Sequence, residues 1–216
     1  HRFPPHRVNY RANLWALRSV GVRQVLAPCA VGALDPDLGP GTVVVPDQVV
    51  DRTWGREHTY YDQIGAVVHV GFADPYCACG RDAVAESLRA SDLPHSIGGT
   101  LVVINGPRFS SRAESRWHQA GWQLVGMTAM PEAALARELA MCFTTVAMVT
   151  DLDAGAEHGD GVTHEEVLAI FARSMPGFKA IIGEAIRRLP AAQTDAEASC
   201  ACRRALDGLT LPFDLP

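Results

Sequence analysis

The stretch Thr144-Thr145-Val146-Ala147-Met148-Val149-Thr150-Asp151-Leu152-Asp153 decides how the chain is interpreted. Its first half is apolar or β-branched, which predicts a buried strand. Two carboxylates follow directly, at Asp151 and Asp153. Ligands of open α/β sheets bind outside the carboxyl ends of the strands. A partly buried carboxyl placed there has a raised pKa and can protonate a leaving group. The alternative is a solvated loop that carries two acids.

Strands and helices alternate along the rest of the chain. The predicted strands are 22–27, 42–45, 100–104, 122–125 and the strand that ends at Asp151. Four helices are predicted at 8–20, 81–90, 131–142 and 178–189. Two more begin at capping boxes, one formed by Ser111 and Glu114 and the other by Thr163 and Glu166. This alternation predicts an α/β protein with a largely parallel sheet.

Several predicted strand ends carry unusual residues, and they include a thiol, an aromatic ring, hydroxyls and carboxylates. They are Cys29-Ala30, Phe109-Ser110, Met127-Thr128 and Asp151-Leu152-Asp153. If one edge of the sheet gathers these strand ends, they form a single pocket.

Composition excludes several classes of protein. A length of 216 residues predicts one domain with a sizeable core, which we place at 1–190, followed by a C-terminal extension at 191–216. The net charge of −5, without a basic stripe, argues against a nucleic-acid partner. No apolar run reaches the ~18 residues that a membrane span needs. The start is not a signal peptide, and we therefore expect a cytoplasmic protein.

The cysteines form two C-x-C pairs, Cys77/Cys79 and Cys200/Cys202. Zinc sites usually use wider spacings and further ligands, so these pairs predict a metal site only weakly. We expect reduced thiols, with a disulfide from one pair as the second possibility.

Three motifs resemble the trimeric purine nucleoside phosphorylases, and among them the methylthioadenosine phosphorylase branch. They are Gly106-Pro107-Arg108-Phe109-Ser110-Ser111-Arg112-Ala113-Glu114, Met127-Thr128-Ala129-Met130-Pro131-Glu132 and Thr150-Asp151-Leu152-Asp153. The segment Val8-Asn9-Tyr10-Arg11-Ala12-Asn13-Leu14-Trp15-Ala16-Leu17 resembles the same branch, so the likeness extends from His1 to about residue 189. It implies a mixed, largely parallel central sheet flanked by helices. It also implies a homotrimer or a hexamer of two trimers.

The resemblance implies phosphorolysis, in which phosphate attacks the anomeric carbon of a purine nucleoside and the free base leaves. Asp151 matches the family acid that donates to purine N7 and neutralises the charge growing on the base in the transition state. The implied co-substrate is inorganic phosphate, with no cofactor and no metal, and the implied pathways are purine and methionine salvage.

The implied base contacts come from two strand ends. Phe109 matches an aromatic that packs against the base, although alone it reads as an ordinary core residue, and Leu152 lies between the two acids. Asp153 matches the residue that supports recognition of a 6-amino group. The 6-oxopurine branch has asparagine in place of Asp151 and glutamate in place of Ser110, so both positions favour adenine.

The implied sugar and phosphate contacts come from the other two strand ends. Met127 matches the ribose-contacting residue and Thr128 a phosphate-binding hydroxyl. Cys29 and Ala30 match a Thr-Ala pair that contacts phosphate. A thiol is a weak donor, so this contact can fall to the backbone N–H of Ala30.

Two histidines are implied near the 5′ substituent. His164 stands where the 6-oxopurine branch has a histidine that reaches the 5′-hydroxyl, so we expect adenosine to be accepted beside 5′-methylthioadenosine. His69 matches a residue lent by the neighbouring subunit. A solvated helix-start histidine and a surface strand histidine are the respective alternatives.

Parts of the family pattern are missing. The family's first strand, Gly-rich phosphate loop and Arg-His-Gly motif precede the position of His1, and residues 62–67 form a shorter span than in relatives. We expect the chain to be part of a longer protein; a true truncation would have crippled phosphate binding. The alternatives to an adenine-type phosphorylase are a phosphorylase for 6-oxopurine or other 5′-substituted nucleosides, a non-catalytic nucleoside-binding homologue, and a hydrolase.

Overall fold

A computed structural model describes residues 2–65, 67–153, 164–189 and 200–216, without the side chains of His164 and Glu166. The strands are β1 Gln24–Ala33, β2 Val43–Val45, β3 Gln48–Arg52, β4 His95–Ile97, β5 Thr100–Ile104, β6 Leu124–Gly126 and β7 Cys142–Leu152. The helices are α1 Tyr10–Ser19, α2 Ala78–Arg89, α3 Arg112–Gln119, α4 Ala129–Glu138 and α5 His164–Arg188, preceded by a short 3-10 helix at Pro5–Arg7.

The strands form one sheet in the order β3-β5-β6-β1-β7-β2-β4. The pairs β1–β7, β3–β5, β5–β6 and β2–β4 are parallel, whereas β1–β6 and β2–β7 are antiparallel. The predicted mixed, largely parallel sheet is therefore confirmed.

Helices cover both faces of the sheet, and the central strand β7 is buried on both sides. Phe143, Ala147 and Val149 pack into a core cluster that contains residues of α1 and α4. Val146 and Met148 pack on the other face with residues of α2 and α5. Successive side chains of a strand point to opposite faces, so a strand covered on both sides is rich in apolar residues. The threonines of β7 are buried as well, and the Thr144 hydroxyl donates to the carbonyl of Cys77.

Several predicted elements are correct and several are wrong in extent. Strand 100–104 matches β5, and the Ser111–Glu114 capping box is confirmed by hydrogen bonds in both directions, of 3.3 and 2.7 Å. The helix predicted to reach residue 142 ends at Glu138, because Cys142 already begins β7. The strand predicted at 22–27 continues to Ala33, because it pairs with β7 along its whole length.

The last two predicted helices are one helix, α5, of 25 residues. It contains Pro176, which the sequence suggests as a break. The helix continues because Phe178, Ile181 and Ala185 are buried against the sheet, and this burial outweighs the loss of a backbone hydrogen bond. Strands β3 and β4 were not predicted.

The C-terminal residues 200–216 pack onto the rest of the chain. Phe213 stacks on Tyr61 at a centroid distance of 5.4 Å and meets Trp15 edge-on at 5.8 Å. The predicted boundary at residue 190 lies outside the described residues and stays a prediction. Among the described residues, no helix has the length and apolar character that crossing a bilayer requires.

Candidate functional site

A cavity of about 800 Å³ opens where β1, β6 and β7 meet. Seven of the residues singled out in the sequence line it: Cys29, Ala30, Phe109, Met127, Thr128, Asp151 and Asp153. The predicted residues are therefore brought together, although β6 runs antiparallel to β1 and Cys29 and Ala30 lie inside β1 rather than at its end. This is possible because β6 pairs only with Gly32 and Ala33 at the end of β1, so the chain beyond Gly126 runs back towards the interior of β1.

Asp151 is aimed by an irregularity in the sheet. The β1–β7 register pairs Val31 with Val149 and then Gly32 with Asp151, so Thr150 is an extra, bulged residue. The Thr150 hydroxyl lies 2.7 Å from Asp151 Oδ2 and 3.2 Å from the carbonyl of Val31. A Cβ on Gly32 would lie 2.9 Å from Asp151 Oδ1, so only glycine leaves room for this carboxylate.

Asp153 is buried beneath the same cavity. Burial raises the pKa of its carboxyl, while the hydroxyls of Ser115 and Ser110 and the charge of His118 oppose the rise. Ser110 lies beside this carboxyl but forms no hydrogen bond of good geometry with it. Among the described residues, Asp153 Oδ2 and Ser110 Oγ are both buried without a hydrogen-bond partner. A pair of unsatisfied buried polar atoms is typical of a site that a polar ligand completes.

Cys29 lies on the wall of the cavity that is formed by β1. Burial and the nearby Glu132 carboxylate raise the pKa of its thiol to about 12, so Cys29 is neutral. A neutral thiol does not repel an anion. Thr128 lines the cavity as the N-cap of α4, and its hydroxyl makes no capping bond. These two side chains suit an anion better than a cation.

Glu132 was not singled out in the sequence, yet its carboxyl is strongly perturbed. Burial raises the pKa of Glu132 from 4.5 to about 7, and only the charge of Arg56 opposes the rise. Between these values the folded protein holds a proton that the unfolded chain has released. The contribution of Glu132 to stability is therefore greatest below pH 4.5 and is lost as the pH rises towards 7.

Replacing Glu132 with glutamine is expected to remove this pH dependence. Wild type should lose about 2–3 kcal/mol more of its free energy of unfolding between pH 5 and pH 8 than Glu132→Gln does. Urea unfolding at the two pH values measures the difference. The control is Glu57→Gln, whose side chain is 74% exposed and which should follow wild type. A difference between wild type and Glu132→Gln below about 1 kcal/mol would contradict the assignment.

Arg56 is a second residue that the sequence did not reveal. Its guanidinium donates to the carbonyls of Asn105 and Met127, each at 2.9 Å, and to that of Met130. It is 8% exposed and lies over the ring of Tyr10. Arg56 therefore ties the end of β5 to the turn that carries Met127. No local pattern marks this arginine, because its partners are about 50 to 75 positions away.

An apolar wall completes the cavity and was also missed. It consists of Val167, Leu168 and Phe171 of α5 and of Phe3, Pro5 and Val8 near the start of the chain. The helical spacing of the α5 residues was a usable signal. His164 begins α5, but its side chain lies outside the described part, as does Thr163.

Three predicted site residues are absent from the described lining of the cavity: Ser110, which lies beside Asp153, and Leu152 and His69, which lie elsewhere. Leu152 packs against the core cluster on the α1 and α4 side and is not among the described residues that line the cavity. His69 is exposed, belongs to no strand, and is likewise absent from the described lining. Within this one chain, therefore, neither the Leu152 nor the His69 side chain reaches the cavity.

Comparisons place the chain among known proteins. A family described as "Phosphorylase superfamily" matches residues 1–187. A purine nucleoside phosphorylase of Streptomyces coelicolor is 55% identical over 224 residues, which cover 100% of this chain and 79% of the relative. An S-methyl-5′-thioadenosine phosphorylase of Mycolicibacterium smegmatis is 56% identical, with the same coverage of 100% and 79%.

Solved structures give the same result. A variant of adenosine/methylthioadenosine phosphorylase from Schistosoma mansoni, in complex with methylthioadenosine, is 38% identical with a TM-score of 0.79. The match covers 87% of this chain and 71% of that one. A methylthioadenosine phosphorylase from an Antarctic soil metagenomic library is 35% identical with a TM-score of 0.86, covering 96% and 72%.

Proposed function

We propose that this chain, which belongs to the phosphorylase superfamily, cleaves 5′-methylthioadenosine with inorganic phosphate to adenine and 5-methylthioribose 1-phosphate. Adenosine is the second substrate. One observation carries the proposal: Asp151 and Asp153 share a cavity of about 800 Å³ with an aromatic ring on one side and a hydroxyl and a neutral thiol on another. A purine, a sugar and an anion fit these three kinds of surface.

Asp151 donates a proton to purine N7 as the glycosidic bond breaks. The Thr150 hydroxyl fits both protonation states of this acid, because it can donate to the ionised carboxylate at 2.7 Å or turn to the Val31 carbonyl at 3.2 Å. With the proton on Oδ1, Oδ2 can still accept from the same hydroxyl, so the proton stays available to purine N7. The acid therefore keeps a partner before and after the proton moves. Thr150 acts as a positioning residue.

Ser110 and Asp151, the two positions that differ from the 6-oxopurine branch, select the base, and Asp153 supports recognition of the 6-amino group. The unsatisfied buried atoms of Asp153 and Ser110 are an acceptor and a hydroxyl, which match the 6-amino group and the ring nitrogen of adenine. A 6-oxo group would set an acceptor against a carboxylate. Phe109, 38% exposed in the cavity wall, packs against the face of the base. Leu152 spaces the two acids along the chain, while its side chain packs in the core and does not contact the base.

Phosphate lies at the β1 and α4 side of the cavity. Thr128 donates its hydroxyl, and Cys29 and the backbone N–H of Ala30 complete the contact. Met127 contacts the ribose, and its thioether packs beside Gly106. That residue must be glycine, because it has φ +62 and a Cβ would lie 2.5 Å from the Met127 sulfur. The nearby apolar wall of α5 suits a 5′-methylthio group.

The proposal includes a homotrimer in the cytoplasm, with His69 of one subunit reaching the 5′ pocket of the next. Its support is the exposed segment around His69, where Ile64 and Val67 are 107% and 78% exposed. Large apolar side chains in such a cluster favour a covered surface. The free state of all six thiols is typical of a reducing compartment.

Phosphate dependence tests the proposed activity. We expect kcat/KM to be highest for 5′-methylthioadenosine, somewhat lower for adenosine and at least about 10²-fold lower for inosine, with no turnover in phosphate-free buffer. Chromatography of the released base measures all three. Release of base at an unchanged rate without phosphate would mean a hydrolase. Nucleoside binding by calorimetry without any turnover would mean a binding protein.

The same assay on His164→Ala tests the 5′ preference. Loss of a hydrogen bond to the 5′-hydroxyl should lower kcat/KM for adenosine by about tenfold and leave that for 5′-methylthioadenosine nearly unchanged. An unchanged ratio of the two would exclude a role for His164.

A further inference from the structure

The C-x-C pairs meet a third element in the folded chain. The sulfurs of Cys77, Cys142, Cys200 and Cys202 all lie within 4.8 Å of one another. Cys77, Cys142 and Cys202 are 0, 2 and 5% exposed, and Cys200 is half-buried. These four residues, here called the thiol cluster, come from the start of α2, the start of β7 and the C-terminal segment.

The spacing of the sulfurs fits a metal better than it fits disulfides. Cys200 Sγ lies 3.7 Å from Cys77 Sγ and 3.6 Å from Cys142 Sγ. Bonded sulfurs lie about 2.05 Å apart. Four thiolates at about 2.3 Å from a tetrahedral zinc ion lie about 3.8 Å from one another, which is close to the spacing observed.

The surroundings of the thiol cluster compensate negative charge. Cys77 is the N-cap of α2, so its sulfur faces the positive end of the helix dipole. Arg203 Nε lies 3.4 Å from Cys142 Sγ, and the Arg137 guanidinium is near enough for its charge to act on Cys202. Donors to thiolate sulfur are typical of the groups that surround a metal–thiolate centre.

We propose that the thiol cluster binds one zinc ion through four thiolates and thereby fastens residues 200–202 to α2 and β7. Binding releases the thiol protons and forms four zinc–sulfur bonds, without oxidation. Among the residues that line the described cavity, none belongs to the thiol cluster. The zinc is therefore structural, and the proposal does not depend on the proposed function.

Elemental analysis of the purified protein, kept under reductant, tests the site directly. We expect one zinc per chain. Exchange for cobalt should give a thiolate-to-cobalt charge-transfer band and the intense visible bands of a tetrahedral tetrathiolate site. Chelation of the zinc should lower Tm by about 10 °C, because the metal binds the folded chain alone.

Two cysteine variants with the same chemical change separate the ligand set from its neighbourhood. Cys200→Ser should lose the zinc or bind it at least about 10²-fold more weakly, whereas Cys79→Ser should keep one zinc per chain. Cys79 packs against the thiol cluster but is not one of its members. Cys200 is the least buried member, so its variant is the one best suited to fold.

Three outcomes would overturn the proposal. The first is protein that takes up no stoichiometric zinc under reductant, with the thiols found paired as disulfides by mass spectrometry. The second is iron or copper as the metal bound. The third is zinc that survives Cys200→Ser but is lost from Cys79→Ser. The cobalt spectrum of wild type needs no variant, so the proposal stays falsifiable even if Cys200→Ser fails to fold.

Discussion

Replacing Asp151 with asparagine is expected to lower kcat/KM for 5′-methylthioadenosine by roughly 10²–10⁴-fold, the usual scale for a positioned acid. The amide has the size of the carboxyl and can still accept from the Thr150 hydroxyl at 2.7 Å. It cannot deliver a proton to the purine as negative charge grows there. The loss should fall mainly on kcat, because the interaction is made in the transition state.

Steady-state kinetics with 5′-methylthioadenosine and saturating phosphate measure the effect. Asp37→Asn is the matched control, since Asp37 is exposed in the connection between β1 and β2 and should keep wild-type kinetics. Urea unfolding of both variants verifies that they are folded. A loss of less than about tenfold for Asp151→Asn would remove Asp151 as the acid.

Combining Ser110→Glu with Asp151→Asn is expected to reverse the choice of base. A 6-oxopurine presents an N–H donor at N1 and a carbonyl acceptor at position 6. It therefore needs a carboxylate at residue 110, where adenine needs a hydroxyl, and an amide at residue 151, where adenine needs a carboxyl. The ratio of kcat/KM for inosine to that for adenosine should rise by at least about 10²-fold over wild type.

The two single variants are the controls for this reversal. Asp151→Asn alone should lose adenosine activity without gaining inosine. Ser110→Glu alone places a second carboxylate beside buried Asp153, so we expect it to weaken the binding of both nucleosides. If the double variant gains no inosine activity, base selection does not lie at these two residues.

The strand ends could be found in the sequence because their signals are local. The alternation that predicts the fold depends on neighbouring residues, and so does the Ser111 capping box. The carboxyl end of each strand then follows from the direction of the chain. This is why Phe109, Met127 and Asp151 could be assigned to one pocket before any contact was known, whereas Cys29 lies inside β1, which ends at Ala33 rather than at residue 27. The two helices predicted at the end of the domain are one helix, α5, because burial of its apolar face outweighs the effect of Pro176.

The sequence by itself determined the α/β fold, the family and the row of strand-end residues, because each of these is written in short runs whose periodicity and order need no partner. Only the tertiary structure decided that Arg56 joins the ends of β5 and β6 and that Glu132 lies near enough to Cys29 for its charge to act on the thiol. It also decided that Cys142 joins Cys77 and Cys200, which are 123 positions apart, in one thiol cluster. Such contacts depend on how helices pack on the two faces of the sheet. Burial, and contacts between charged groups that are far apart in the sequence, therefore arise only when the chain folds.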